Sequence, residues 1–314
     1  MEIKSVKIGK VKTKNNLFLA PLAGYSDAAL RIICRDYGAG LAFTEMVSCK
    51  GLKYGNEKTS DILFTYPEED IKAVQIFGND PLIMGEIASS SYLEKFDIID
   101  INMGCPVPKI YNNGEGSALL NDLSLASKII SEVKKSGKAV SVKFRIGLTE
   151  GNFVTKEFAK MCEDSGADMI TIYGRVKTAI YSGPCNYDEI RKAKESVKIP
   201  VIGNGGIFSL KDADEMVANT GVDGVMIARG AMNNPMIFAE ILKTPNAIPI
   251  KEEMLKHLKL LEDRYGEERT AVIFRKQMAF YLKGAVGGKK LKEQVFACKS
   301  IKELKNIILN SNCF

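Results

Sequence analysis

Histidine is nearly missing from this 314-residue chain, and His257 stands alone. That scarcity argues against a histidine-rich metal site and against a Ser/His or Cys/His catalytic pair. The seven cysteines, at 34, 49, 105, 162, 185, 298 and 313, are odd in number and never spaced Cys-x-x-Cys. This pattern points to reduced thiols rather than a disulfide framework, and away from a zinc site, so no metal is expected. Although 46% of residues are apolar, no run of ~18 uncharged apolar residues occurs, and Met1 to Lys14 lacks the apolar stretch of a signal peptide. The expectation is a soluble, cytoplasmic monomer with no membrane contact. Any chemistry must lean on a cofactor or on Cys, Lys, Asn, Tyr and Arg.

What is present is alternation. Short apolar, β-rich runs near 17–22, 41–47, 72–77, 97–102, 140–146, 169–174, 200–204 and 223–227 are separated by segments of helical period. Helix starts are marked by Asp27, by Asp80 with Pro81, by Asp122 and by Thr155. Eight βα units, with no Gly-x-Gly-x-x-Gly after the first strand, predict an α/β fold, a (β/α)8 TIM barrel rather than a doubly wound sheet. The opening segment 3–16 reads as a β-hairpin across the barrel bottom. After Pro245 to Pro249 the alternation stops, and Lys251 to Asn310 is helical throughout, punctuated by Gly266, Gly284 and Gly287-Gly288. Two domains are predicted: a catalytic barrel over 1–245 and an all-helical domain over 246–314.

Charge follows this division. Residues 250–314 hold 14 Lys+Arg against 8 Asp+Glu, which accounts for the whole net charge of +6 and leaves the first 249 residues balanced. A neutral body with a basic appendage suits a polyanion; a solvated lysine-rich helical face is the plainer reading.

In a parallel barrel the active site lies at the C-terminal ends of the strands, and unusual polar residues cluster there. Strand seven is VIGNGGI (201–207) and strand eight ends Ala228-Arg229-Gly230. Asn204-Gly205-Gly206 and Arg229 suit a phosphate held by the loops after strands seven and eight, although either glycine cluster alone also reads as a tight turn. Lys143 interrupts the apolar strand-five run VSVKFRIG (140–147). Either it holds the N1/O2 edge of a flavin or it is paired with a neighbouring carboxylate. Gln75, on strand three, suits the flavin's pyrimidine edge. Cys105 sits in INMGCPVPK (101–109) at the barrel mouth, beside Asn102 and ahead of Lys109, and a thiol of ordinary pKa, ~8.5, can donate a proton without help from histidine. The other six cysteines read as small buried hydrophobes.

Together the runs APLAGYSD (20–27), VQIFG (74–78), INMGCPVPK (101–109), VKFRIG (142–147), YSGP (181–184), IPVIGNGGI (199–207) and GVMIARGAMNNP (224–235) resemble the tRNA-dihydrouridine synthase family, its bacterial B-type subfamily most closely. The resemblance implies FMN in the barrel mouth, NADPH as reductant and a tRNA uridine, flipped out of its stack, as substrate. It makes Cys105 the proton donor to C5. It gives FMN to Pro21, Leu22, Ala23, Gln75, Lys143, Tyr173, Asn204, Gly205, Gly206, Ala228 and Arg229. Asn102, Lys109, Arg145 and Tyr181 go to the substrate, with Arg275 and Lys276 on tRNA phosphates. Two positions depart from the pattern, which has histidine at Tyr173 and again within the run Arg275 to Tyr281. The rivals are an FMN barrel acting on a free pyrimidine, as a dihydroorotate dehydrogenase does, and a non-catalytic tRNA-binding protein.

Overall fold

The computed structural model describes residues 1–244 and 248–311; the predicted boundary between 245 and 246, and Cys313, lie outside the described residues. Eight parallel strands close into a barrel in chain order: β1 (Leu17–Leu19), β2 (Leu41–Ser48), β3 (Ala73–Phe77), β4 (Ile98–Met103), β5 (Ala139–Arg145), β6 (Met169–Tyr173), β7 (Val201–Asn204) and β8 (Gly224–Ile227). The first strand stops short of its predicted end because Pro21 has no N–H to give a ladder.

Side chains alternate across each strand, and the alternation sorts the chemistry. Phe18, Leu41, Phe43, Ala73, Ile98, Ala139, Met169 and Ile202 fill the lower barrel interior. Val6 and Ile8 plug it from below, on the hairpin Lys7–Ile8/Val11–Lys12, which turns at Gly9-Lys10, ahead of Asn15-Asn16. The out-facing set, such as Ile99, Ile101, Val140 and Val142, packs under the helices. The same inward register, continued toward the mouth, brings Gln75 level with Asp100, Asp100 with Ser141, Asn102 with Lys143, and Tyr173 with Arg145.

Asp27, Asp80 and Asp122 cap their helices as expected, each accepting backbone N–H groups of the first turn. Thr155 does not. Val154 takes the cap position and Thr155 begins the helix, its single hydroxyl proton shared between the Ile146 carbonyl and Glu189.

The C-terminal region is helical: Ile250–Tyr281, Gly288–Ala297 and Ile301–Asn310. Gly266, at φ 73° and ψ 176°, breaks the first of these into two, a conformation in which glycine carries no Cβ penalty. Met254, Leu258, Phe274, Met278, Leu291, Val295, Leu304 and Ile308 form a core of their own. Buried His257, its pKa pushed down to about 3 by burial, is neutral there and hydrogen-bonded through Nδ1 to the Tyr281 hydroxyl at 2.9 Å. This region lies on the barrel's first helix and mouth, through Tyr37 with Glu253, Lys256 with Asp36 and Gln277 Nε2 with the Met232 carbonyl at 3.1 Å.

Candidate active site

At the C-terminal ends of the strands the barrel opens into a cavity of about 380 Å³. All eleven residues expected to hold FMN line it: Pro21, Leu22, Ala23, Gln75, Lys143, Tyr173, Asn204, Gly205, Gly206, Ala228 and Arg229. Cys105, Asn102, Arg145 and Tyr181 line it too, together with residues given no role from the sequence, among them Tyr25, Phe208, Met232 and Phe280. Phe280 comes from the helical region and meets Tyr25 edge to face at 5.0 Å, so the appendage supplies part of the wall. Its signal was only an aromatic at helical spacing, indistinguishable from a core residue.

The polar groups are organised around two loops. Below the mouth, the Ser141 hydroxyl donates to Asp100 Oδ1 at 2.6 Å, Gln75 Nε2 to Asp100 Oδ2 at 2.7 Å, and Asn102 Nδ2 to Gln75 Oε1 at 2.9 Å. Asn102 Oδ1 then accepts the backbone N–H groups of Cys105, at 3.0 Å, and Gly104, at 3.3 Å. Arg145 holds the same loop from the other side: Nε donates to the Gly104 carbonyl at 2.7 Å, and Nη1 to the carbonyls of Val176 and Ile180 at 3.0 and 2.9 Å. Its Cζ lies 4.6 Å from the Tyr173 ring centroid.

The second loop follows β7. Gly205 has φ 122°, and a Cβ there would lie 2.6 Å from Cys185 Sγ and 3.1 Å from Tyr173 Cε2, so only glycine leaves this surface open. Arg175, 7% exposed, donates to the Ser182 and Gly183 carbonyls and, through Nη1, to the Tyr173 hydroxyl at 3.1 Å. Its Nη2 has no partner among the described residues and faces Gly206. Arg175 was visible at the end of strand six but was not assigned to the site. Nor did the sequence show that Cys185, read as a buried hydrophobe, is half-buried against these glycines.

Lys143 has no hydrogen-bond or ion-pair partner among the described residues, which leaves its ammonium free toward the cavity. Burial lowers its pKa to about 8, helped by the charge of Arg145 and opposed by that of Asp100. Burial pushes the Cys105 thiol above its ordinary value, while a backbone N–H of Val107 and the charges of Arg145 and Lys143 pull the other way. The thiol therefore carries its proton at neutral pH.

Three expected residues stand outside the cavity wall. Lys109 is exposed on the short helix Pro108–Asn112. Arg275 is committed to the carbonyls of Ala271, Phe296 and Cys298, at the end of the helix Gly288–Ala297. Lys276 is exposed and borders a neighbouring cavity of about 170 Å³ between Gly24 and Tyr265. Among the described residues no group of three or more His, Cys, Asp or Glu could hold a metal ion, and no helix is long and apolar enough to cross a membrane.

The family model "Dihydrouridine synthase (Dus)" matches residues 18–313. The chain belongs to the dihydrouridine synthase family. It is 38% identical over 289 residues to tRNA-dihydrouridine synthase B of Pasteurella multocida, covering 89% of this chain and 87% of that one. With the protein of the same name from Pseudomonas putida it shares 36% identity over 300 residues, covering 92% and 89%. Among solved structures it is similar in fold to histamine dehydrogenase from Rhizobium sp. 4-9, with a TM-score of 0.57 and 17% identity over 82% of this chain and half of that one. Morphinone reductase gives a TM-score of 0.55 and 10% identity over 74% and 88%. Those two likenesses bear on the barrel; the family rests on the sequence matches.

Proposed function

We propose that this member of the dihydrouridine synthase family reduces the C5–C6 double bond of tRNA uridines in the cytoplasm, with FMN as cofactor and NADPH as reductant. The observation that carries this reading is the meeting, in one cavity, of a protonated cysteine thiol, an unpaired lysine and a side-chain-free glycine loop. The cavity fits FMN: Lys143 is a half-buried ammonium without a partner among the described residues, and the surface at Gly205-Gly206, with the free Nη2 of Arg175, suits a phosphate. Pro21, Leu22 and Ala23 would back the ring, and Asn204, Ala228 and Arg229 would complete the phosphate end. When bound, reduced FMN supplies the hydride that goes to C6.

The chain's own part is the proton. Cys105 Sγ gives its proton to C5, and the thiolate left behind is stabilised by the charges of Arg145 and Lys143 until solvent restores the proton. Tyr181, 54% exposed at the rim, and Tyr25 offer faces for an unstacked base. The test is direct: the purified protein shows flavin absorbance, and unmodified tRNA incubated with it and NADPH gains two hydrogens per modified uridine by mass spectrometry. Turnover of free orotate with no change in tRNA would favour the free-pyrimidine rival.

Lys143 gives this reading a pH signature. A lysine is charged below its pKa, so an ammonium with a pKa of about 8 loses its charge as pH rises through 8. FMN affinity of the flavin-stripped protein should fall across that window, and Lys143→Ala should weaken binding at pH 7 and flatten the dependence. Fluorescence titration of FMN from pH 6.5 to 9.5 reads both; identical profiles for the two proteins would remove Lys143 from the cofactor site.

A further inference from the structure

Asp100 is a fully buried carboxylate in the middle of the apolar strand β4, and it does not line the cavity. A charge in that position is costly unless its oxygens are satisfied, and both are, by Ser141 and Gln75. We propose that Asp100 is a positioning residue which holds the loop of Cys105 in register through Gln75 and Asn102. The inference rests on Cys105 being the proton donor.

The direction of each hydrogen bond in the row is fixed from its two ends. A carboxylate only accepts, so Gln75 must turn its NH2 group down toward Asp100 and its carbonyl oxygen up. That oxygen can take only a donor, so Asn102 must present Nδ2 to it. Asn102 Oδ1 is then left facing the mouth, where it receives the N–H groups of Cys105 and Gly104. Each amide in the row can adopt two orientations, and the carboxylate at one end together with the backbone donors at the other permits only one. Remove the buried acceptor and Gln75 Nε2 is left unsatisfied, so both amides are free to turn and the loop loses its anchor. A displacement of the thiol by about 1 Å is enough to slow a positioned proton transfer substantially.

The measurement is alkylation of Cys105 by iodoacetamide in the flavin-loaded protein, followed at its own peptide by mass spectrometry. The two half-reactions, flavin reduction by NADPH and flavin reoxidation by tRNA, are measured alongside. Asp100→Leu is expected to change the alkylation rate about threefold or more and to slow the tRNA step about 10-fold, with a clearly smaller loss in flavin reduction, which Gln75 reaches through the cavity wall. Asp100→Asn keeps a carbonyl oxygen for Gln75, and the Ser141 hydroxyl can turn to accept from the new amide. It should therefore restore most of both readouts.

A paired substitution keeps the test decisive even where Asp100→Leu does not fold. In Gln75→Glu alone two carboxyl groups face each other, and at the alkaline pH where both are ionised, which is where alkylation is compared, the row is broken. Adding Asp100→Asn lets the new amide donate to the glutamate, which still accepts from Asn102, so every link returns with one reversed. Cys105 alkylation should move away from wild type in the single variant and come back in the double. Alkylation unchanged in Asp100→Leu, no return in the double variant, or equal losses in both half-reactions would each overturn the proposal. Alkylation reads the row without any turnover, so failure of the tRNA step in wild-type protein would count against the proposed function and not against the role of Asp100.

Discussion

Cys105→Ala is expected to leave flavin reduction by NADPH within about twofold of wild type and to slow uridine reduction about 100-fold, the usual cost of a lost general acid. The asymmetry follows from the geometry. The thiol stands in a loop fastened by Asn102 and Arg145, across the mouth from the Gly205-Gly206 surface, so its removal leaves the proposed cofactor contacts intact. Its pKa sets the pH dependence: because burial raises it, the acid form persists through neutral pH, and the uridine step should decline only in the alkaline range above the ordinary thiol value. Rapid mixing of pre-reduced enzyme with tRNA isolates that step. Equal losses in both half-reactions would make Cys105 structural.

The second large effect is expected at the rim. Lys276 and Phe280 fall on one face of the helix that ends at Tyr281, four residues apart, and Lys283 lies in the turn just beyond it. Phe280 forms cavity wall, and the Lys283 ammonium lies 5.9 Å from the ring of Phe208, itself part of that wall. The two exposed lysines therefore lie beside this wall, near the opening that the proposed function assigns to a flipped base. Replacing both with alanine should weaken tRNA binding about 10-fold at moderate salt and reduce the log-log salt slope by about 1.5 units. Arg275→Ala is expected to behave differently. Its guanidinium ties helix ends together, so its loss should lower the Tm and leave the slope largely unchanged. A salt series of tRNA affinities with thermal melts separates the two. A slope that falls for Arg275→Ala and holds for the lysine pair would invert the assignment.

Much of this was legible in the sequence because a barrel strand has a strict period of two. Once Lys143 is inward, Ser141 and Arg145 are inward as well, and the same count places Gln75 and Asn102 at the mouth. Asp100 could have been found by that count, since it lies two residues before Asn102 in a run otherwise made of isoleucine. What the sequence could not show is which partner a polar side chain takes. Arg275 and Lys276 are adjacent and alike in charge, yet one caps a helix and the other faces solvent, because successive helical positions point about 100° apart. Phe280 was likewise hidden, and Arg175, visible at the end of strand six, gave no sign of its partners: both places come from how the helical region and the loop after β6 pack, and local periodicity carries no record of either.

In the proposed function one cavity couples a reduced flavin to protonation of a tRNA uridine by Cys105. Its most direct test is an anaerobic single turnover, in which flavin-loaded protein is reduced with one equivalent of NADPH and mixed with tRNA lacking dihydrouridine. The account predicts that flavin absorbance returns only when tRNA is present, with one dihydrouridine formed per flavin reoxidised, and that Cys105→Ala slows the return about 100-fold. A flavin that stays reduced in the presence of such tRNA, or that is reoxidised equally well by a free pyrimidine, would contradict it.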